Sequence, residues 1–204
     1  MHTVKNKNVL KKMKFNIFKQ LFKMTIVIGF IGGACVGKSL LSALVFAELK
    51  MKHHNVELVQ EFAKQLVWQN RLDELNNQYQ VTMEQYHMIK PLDNCVEYVV
   101  CDSPLLLGLF YNRYNTENVS NVEKTQSMII NKMKEFKNIY IFLERNPEYP
   151  FTQEGRLQNE EQAKQVDIQM KQLLHEFDIP YLSVVSSKDS VSKIIDYIFT
   201  SNQI

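Results

Sequence analysis

Cysteine, arginine, proline and glycine are all scarce in this sequence: three, four, five and six residues among 204. Cys35, Cys95 and Cys101 show no Cys-x-x-Cys spacing and no histidine pair nearby, which excludes a disulfide framework and a zinc site. Such cysteine usage fits a reducing compartment, so the chain is expected to be cytoplasmic. His53 and His54 are adjacent in an expected loop, where neighbouring side chains point apart rather than chelate one metal. With few prolines and glycines, no linker divides the chain. The apolar run Met24–Val36 stops at 13 residues, short of the roughly 20 that a membrane-spanning helix needs, so no transmembrane segment is expected. Neither sign of charge dominates: 24 basic residues stand against 22 acidic ones, a formal net charge of +2.

That balance conceals an uneven distribution. Residues 1–23 hold seven lysines and no acid, whereas the remaining 17 basic residues face all 22 acidic ones. A basic leader, expected to be disordered, therefore precedes a mildly acidic domain spanning 24–204. A basic stretch followed by an apolar run, ending near Gly32-Gly33-Ala34-Cys35, has the outline of a secretory signal or lipoprotein site. The run continues straight into Gly37-Lys38-Ser39, however, which a cleaved signal does not explain. A mobile tail, or a start assigned too early with Met24 as the true beginning, is the simpler reading. Phe15, Phe18, Leu21 and Phe22 also give the leader a weak amphipathic face for a membrane surface or nucleic acid.

What is present is the material of one globular domain: 24.0 kDa, 45% hydrophobic and 23% charged. Short apolar runs alternate with helical periods. Thr25–Ile31, Val56–Val59, Tyr98–Cys101, Ile139–Leu143 and Tyr181–Val185 read as strands buried on both faces. Lys38–Met51, Glu61–Asn76, Thr82–Glu97, Val122–Phe136, Glu160–Phe177 and Val191–Phe199 read as helices. This alternation predicts an α/β fold, a doubly wound five-stranded parallel sheet.

One motif carries the chemistry. Gly32-Gly33-Ala34-Cys35-Val36-Gly37-Lys38-Ser39 is a full G-x-x-x-x-G-K-S, directly after the first strand and, with Leu40, opening a helix. The glycines let backbone N–H groups curl around phosphate oxygens, and the helix presents its positive end to the same anion. Lys38 reaches the terminal phosphates and the Ser39 hydroxyl ligates Mg²⁺. The motif implies a nucleoside triphosphate. Cys35, at the loop's centre, is a small residue that fits there, and a redox role is the weaker reading.

Phosphoryl chemistry needs acids and arginines as well. Asp102 closes the apolar run Tyr98–Cys101 and is the candidate second Mg²⁺ ligand; Glu61 follows the second strand. Their bland alternatives are a turn or cap role for Asp102 and helix charge compensation for Glu61. Two of the four arginines, Arg145 and Arg156, fall in a Pro- and Gly-punctuated polar stretch at about 145–158. An arginine-bearing lid there would neutralise a transferring phosphoryl group and exclude water; solvated loop arginines are the alternative. Phe62, Trp68, Arg71, Tyr79, Tyr86, His87 and Lys90 are the candidate acceptor wall, with Tyr111, Arg113 and Tyr114 as a second.

The phosphate loop, Val56–Lys64, Cys101–Leu107, Gly155–Ala163 and Asp178–Tyr181 occur in an order that resembles P-loop kinases of the nicotinamide riboside kinase domain type. Within that family the sequence looks most like bacteriophage-encoded members. The resemblance covers about residues 24–200. It implies a P-loop NTPase, nucleoside/nucleotide kinase-like fold, with ATP and Mg²⁺ as cofactors and a small hydroxyl-bearing acceptor. Lys38 and Ser39 then take the phosphate and Mg²⁺ roles, Asp102 the strand-end acid, and Arg156 with Arg145 the lid; Glu61 is an acid that can approach the acceptor hydroxyl, which either Glu61 or Asp102 would orient. Family members often carry arginine soon after that glutamate; here Lys64 stands instead, a point charge that cannot reproduce a guanidinium fork. Two other readings stay open: an ATPase or GTPase switch without acceptor, and a kinase acting on DNA or RNA ends or modified bases. No guanine-reading Asn-Lys-x-Asp string is present, and the acidic domain disfavours an extended nucleic-acid groove.

Overall fold

The computed structural model describes residues 24–201. The basic leader, with its expected disorder, lies outside the described residues. Strands β1 (Ile26–Ile31), β2 (Val56–Val59), β3 (Tyr98–Cys101), β4 (Lys137–Glu144) and β5 (Tyr181–Val185) form one parallel sheet in the order β2-β3-β1-β4-β5. The doubly wound five-stranded α/β fold read from the sequence is the fold observed. Strand order reverses on either side of β1, which puts a crevice at its carboxyl end. Register aligns Gly29 with Cys101, so Asp102 emerges beside the end of β1.

The central strands β3, β1 and β4 are largely buried on both faces, which is why they read as apolar runs. The edge strands β2 and β5, expected to be buried too, expose Glu57, Ser183 and Val185 because each has only one neighbour. Ile26, Ile28 and Phe30 of β1 face α1 (Lys38–Met51) and α7 (Ser190–Ser201) through Leu41, Val45, Ile194 and Ile198. Val27 and Ile31 face the opposite way, into a core shared with α3 (Gln78–Ile89), α4 (Leu105–Tyr114), α5 (Val122–Met133) and α6 (Glu160–Glu176). Among the described residues, no helix is long and apolar enough to cross a membrane.

Three helices depart most from expectation. The helix predicted over Glu61–Asn76 is only α2 (Phe62–Trp68), followed by a 3₁₀ turn at Leu72–Asn76. Asn70, at φ 56°, stops it: its N–H donates to Val67 O and that of Arg71 to Leu66 O, a Schellman closure. α3 starts at Gln78, earlier than expected, and gives way to a 3₁₀ turn at Lys90–Leu92. The helix α4 was not anticipated at all. Its sequence, Leu-Leu-Leu-Gly-Leu-Phe, is apolar on every side because most of it is buried, so it carries no amphipathic period.

Candidate active site

β1 ends at Ile31 and the chain curls through Gly32–Gly37 before α1 begins. Cys35 adopts φ 59°, a left-handed conformation at the loop's turn. Gly33 is dictated by close approach: a Cβ there would lie 2.3 Å from the Ala163 carbonyl of α6 and 2.8 Å from Arg145 Nη2. Its N–H donates to Asp167 Oδ1 at 2.6 Å, and Asp167 Oδ2 accepts from Arg145 Nε at 2.6 Å. Arg145 Nη1 in turn donates to Ala34 O at 3.0 Å. The loop is thus braced from behind by a partly buried ion pair that hydrogen-bonds its backbone at both ends.

Lys38 Nζ donates to the Gly32 and Gly33 carbonyls, both at 2.8 Å. The residue is half-buried, and desolvation within the loop holds its pKa below the ordinary lysine range. Glu61, Asp102 and Asp167 pull the other way and Arg145 adds to the lowering. Ser39 Oγ donates to Asp102 Oδ2 at 2.8 Å. Asp102 is buried, and its Oδ1 has no hydrogen-bond partner. A hydroxyl touching a carboxylate that keeps one oxygen unpaired is a donor set suited to Mg²⁺, a hard cation that takes one or two protein oxygens and completes its shell from phosphates and water. Among the described residues, no cluster of three or more His, Cys, Asp or Glu could hold a metal by itself. Asp102 performs no capping: Pro104 is the N-cap of α4, without a side-chain bond.

Glu61 stands at the N-cap of α2, yet its side chain makes no cap bond and instead lines a cavity of about 750 Å³ that continues from the phosphate loop. Burial raises its pKa above the ordinary carboxylate value; Asp102 adds to this, while Lys38, Lys64 and Arg156 oppose it. The turn carrying Glu61 is held by buried Gln85 of α3, whose Oε1 accepts from Phe62 N at 2.8 Å and whose Nε2 donates to Gln60 O at 3.1 Å.

Residues 145–159, between β4 and α6, are irregular and roof the cavity. Gln153 Nε2 donates to the Arg156 and Gln158 carbonyls, and Arg156 N to Gln153 O, which fold the segment into a compact turn. Cys35 Sγ donates to Thr152 O at 3.1 Å, so the phosphate loop also touches the middle of this roof through a thiol. Arg156 lines the cavity and acts electrostatically on Glu61, while its Nη1 donates to Glu154 O.

The structure therefore brings Ala34, Cys35, Val36, Gly37, Lys38, Ser39, Leu40, Glu61 and Arg156 around one cavity, with Asp102 behind Ser39. Arg145, expected in a lid, lies instead behind the phosphate loop, because Asp167 of α6 draws its guanidinium there. The first acceptor wall is also different from that expected. Trp68, Tyr79 and His87 are exposed, Arg71 pairs with Glu74, and Tyr86 and Lys90 are engaged with Glu135. The wall is built from Lys64, Asn76, Gln78, Thr82 and Gln85, with Tyr111 and Tyr114 of α4 opposite, while Arg113 pairs with Glu176. Asp167 and Gln85 escaped the sequence reading. Gln85 had a signal, since an amide one turn from Thr82 and Ile89 sits on the buried stripe of α3.

Comparison with known proteins agrees with this geometry. A family model described as AAA domain matches residues 27–191. Comparison with curated proteins finds no match. The chain superposes on the crystal structure of NadR protein in complex with NAD and AMP-PNP with a TM-score of 0.66 at 15% identity, over 92% of this chain and 52% of that one. It thus spans about half the length of that protein. It is also similar to deoxyadenosine kinase from M. mycoides, solved with dCMP and a flexible dCDP bound: TM-score 0.52, 16% identity, 87% of this chain and 100% of that one. At these identities the likeness shows a shared fold.

Proposed function

The chain belongs to the AAA-domain family, and from that premise we propose that it is an ATP-dependent kinase that transfers the γ-phosphoryl group to a hydroxyl of a small nucleoside- or nucleotide-like acceptor. The observation that carries this reading is the continuity of the cleft. The phosphate loop opens directly into a cavity of about 750 Å³ that has a carboxylate, Glu61, within the electrostatic reach of Lys38 and Arg156. A cavity that runs on from the phosphate loop to Glu61 and Asn76 supports an acceptor beside the phosphates over a nucleotide switch without one. Among the described lining residues the cations are Lys38, Lys64 and Arg156, which is not the basic stripe that an extended nucleic-acid strand would need. The two similar structures, one holding AMP-PNP and the other a deoxynucleotide product, fit a nucleotide-binding cleft of this shape. The finer kinship with bacteriophage-encoded kinases rests on the sequence blocks.

In this mechanism the loop N–H groups and Lys38 cradle the β- and γ-phosphates, and the ammonium exchanges its bonds to the Gly32 and Gly33 carbonyls for phosphate oxygens. Ser39 and Asp102 would hold Mg²⁺, whose charge would offset that of the phosphates. Glu61 orients the acceptor hydroxyl and takes its proton as the oxygen attacks the γ-phosphorus; burial, which raises its pKa, improves its basicity at neutral pH. Arg156, in the part of the roof that lines the cavity, stabilises the charge spread over the equatorial oxygens. The test is a screen of γ-labelled ATP against nucleosides, nucleoside monophosphates, nicotinamide riboside and DNA ends, with and without Mg²⁺. Label on a small acceptor supports the proposal; label on DNA ends alone, or none on any acceptor, refutes it.

A further inference from the structure

The segment bearing Arg156 has to be set in place before it can act, and the chain's single tryptophan lies where that happens. Trp68 is the last residue of α2 and is 65% exposed, so it is no part of the core. Its indole lies against Gly155. A Cβ on Gly155 would fall 2.6 Å from the indole Cζ2 and 2.9 Å from Cη2, and Gly155 itself has φ +70°, a conformation that other residues adopt with strain. The roof's backbone therefore approaches the ring with no room for a side chain between them. The next residue is Arg156, which enters the cavity and acts on Glu61. Glu61 in turn is the N-cap residue of the helix that Trp68 ends. One short helix carries the acceptor-side acid at its start and the seat of the roof at its finish.

We infer that Trp68 is a positioning residue, a seat for Gly155 that sets Arg156 over the cleft and couples the roof to the helix that Glu61 opens. The inference rests on the kinase reading only for what Arg156 does there. The seat itself is tested without turnover: Gly155→Val should push the roof off the indole, red-shift its emission and let acrylamide quench it faster. Unchanged emission and quenching would overturn the seat whatever reaction the chain performs. In turnover, Trp68→Ala should lower kcat by roughly 10- to 100-fold, the scale of a small misplacement of a reacting group, while AMP-PNP affinity changes by less than about threefold. Trp68→Phe should recover most of the loss, since a flat ring remains. The decisive readout is a double-mutant cycle: once Arg156→Ala is in place, adding Trp68→Ala should cost less than about twofold more. Fully additive losses would mean that Trp68 acts on stability rather than on Arg156. If ATP is only hydrolysed, the same cycle is read on phosphate release, so loss of the kinase reading and loss of the seat give different results.

Discussion

The phosphate loop and the roof facing it across the cleft are held by different kinds of contact. Gly33 is pressed against the α6 backbone at Ala163, its N–H is taken by Asp167, and the Arg145–Asp167 ion pair reaches Ala34 as well. Every one of these contacts comes from a helix or strand end packed on the sheet. Beyond Asn146, whose Nδ2 donates to Ser186 O, the roof touches its surroundings through a thiol and a glycine on an exposed indole, and the side-chain bonds of Gln153 and Arg156 are internal to it. A triphosphate site must present the same N–H groups every cycle, so it is over-determined. On the proposed function, a roof that opens to exchange ligands belongs at the low-stability end of the molecule.

Mutations should separate the two regions by what they damage. Lys38→Ala is expected to cost the most, roughly 10³-fold in kcat/KM. It should leave thermal stability intact or raised, because it removes a desolvated ammonium. Arg156→Ala should lower kcat by about 100-fold while changing nucleotide Kd by less than about threefold, a transition-state loss rather than a binding loss. An equal loss in Kd would erase the distinction between loop and roof. Gly33→Ala should destabilise the fold by about 1–3 kcal/mol through overpacking against Ala163, read as a lower urea midpoint. Gly155→Ala, on the loosely held side, should cost less than that in the same assay.

The smallest expected effect lies in pH dependence. Glu61 has its pKa raised by burial, so the acidic limb of kcat/KM should fall above the ordinary carboxylate value of 4.5, and Glu61→Gln should remove that limb. The stability that a protonated Glu61 contributes is fully present below its unfolded pKa and is lost as pH rises through the raised folded value. Glu61→Gln, neutral throughout, should therefore gain on wild type in melting temperature more at pH 8 than at pH 5.

The parts legible in the sequence are those whose cause is local. Strands covered on both faces are continuous apolar runs, and the phosphate loop is a contiguous motif between a strand and a helix. α4 was illegible because Leu105–Phe110 is apolar all round, which periodicity cannot assign. Asp167 lies 134 residues from Gly33, and no spacing rule joins them. The acceptor wall misled for a third reason. Aromatics were expected to stack on a base, but Tyr86 turns into the core, where its hydroxyl donates to Glu135 at 2.7 Å. Trp68 turns to the roof, and amides and Thr82 were left to line the cavity.

The most direct test of the account follows the fate of the γ-phosphoryl group. Purified protein is incubated with γ-labelled ATP, Mg²⁺ and a pool of nucleosides and nucleoside monophosphates, and label is partitioned between acceptor and inorganic phosphate. A kinase should place most of the label on one acceptor, with transfer abolished in Lys38→Ala. Label appearing only as inorganic phosphate, at a rate unaffected by any acceptor, would contradict the kinase reading.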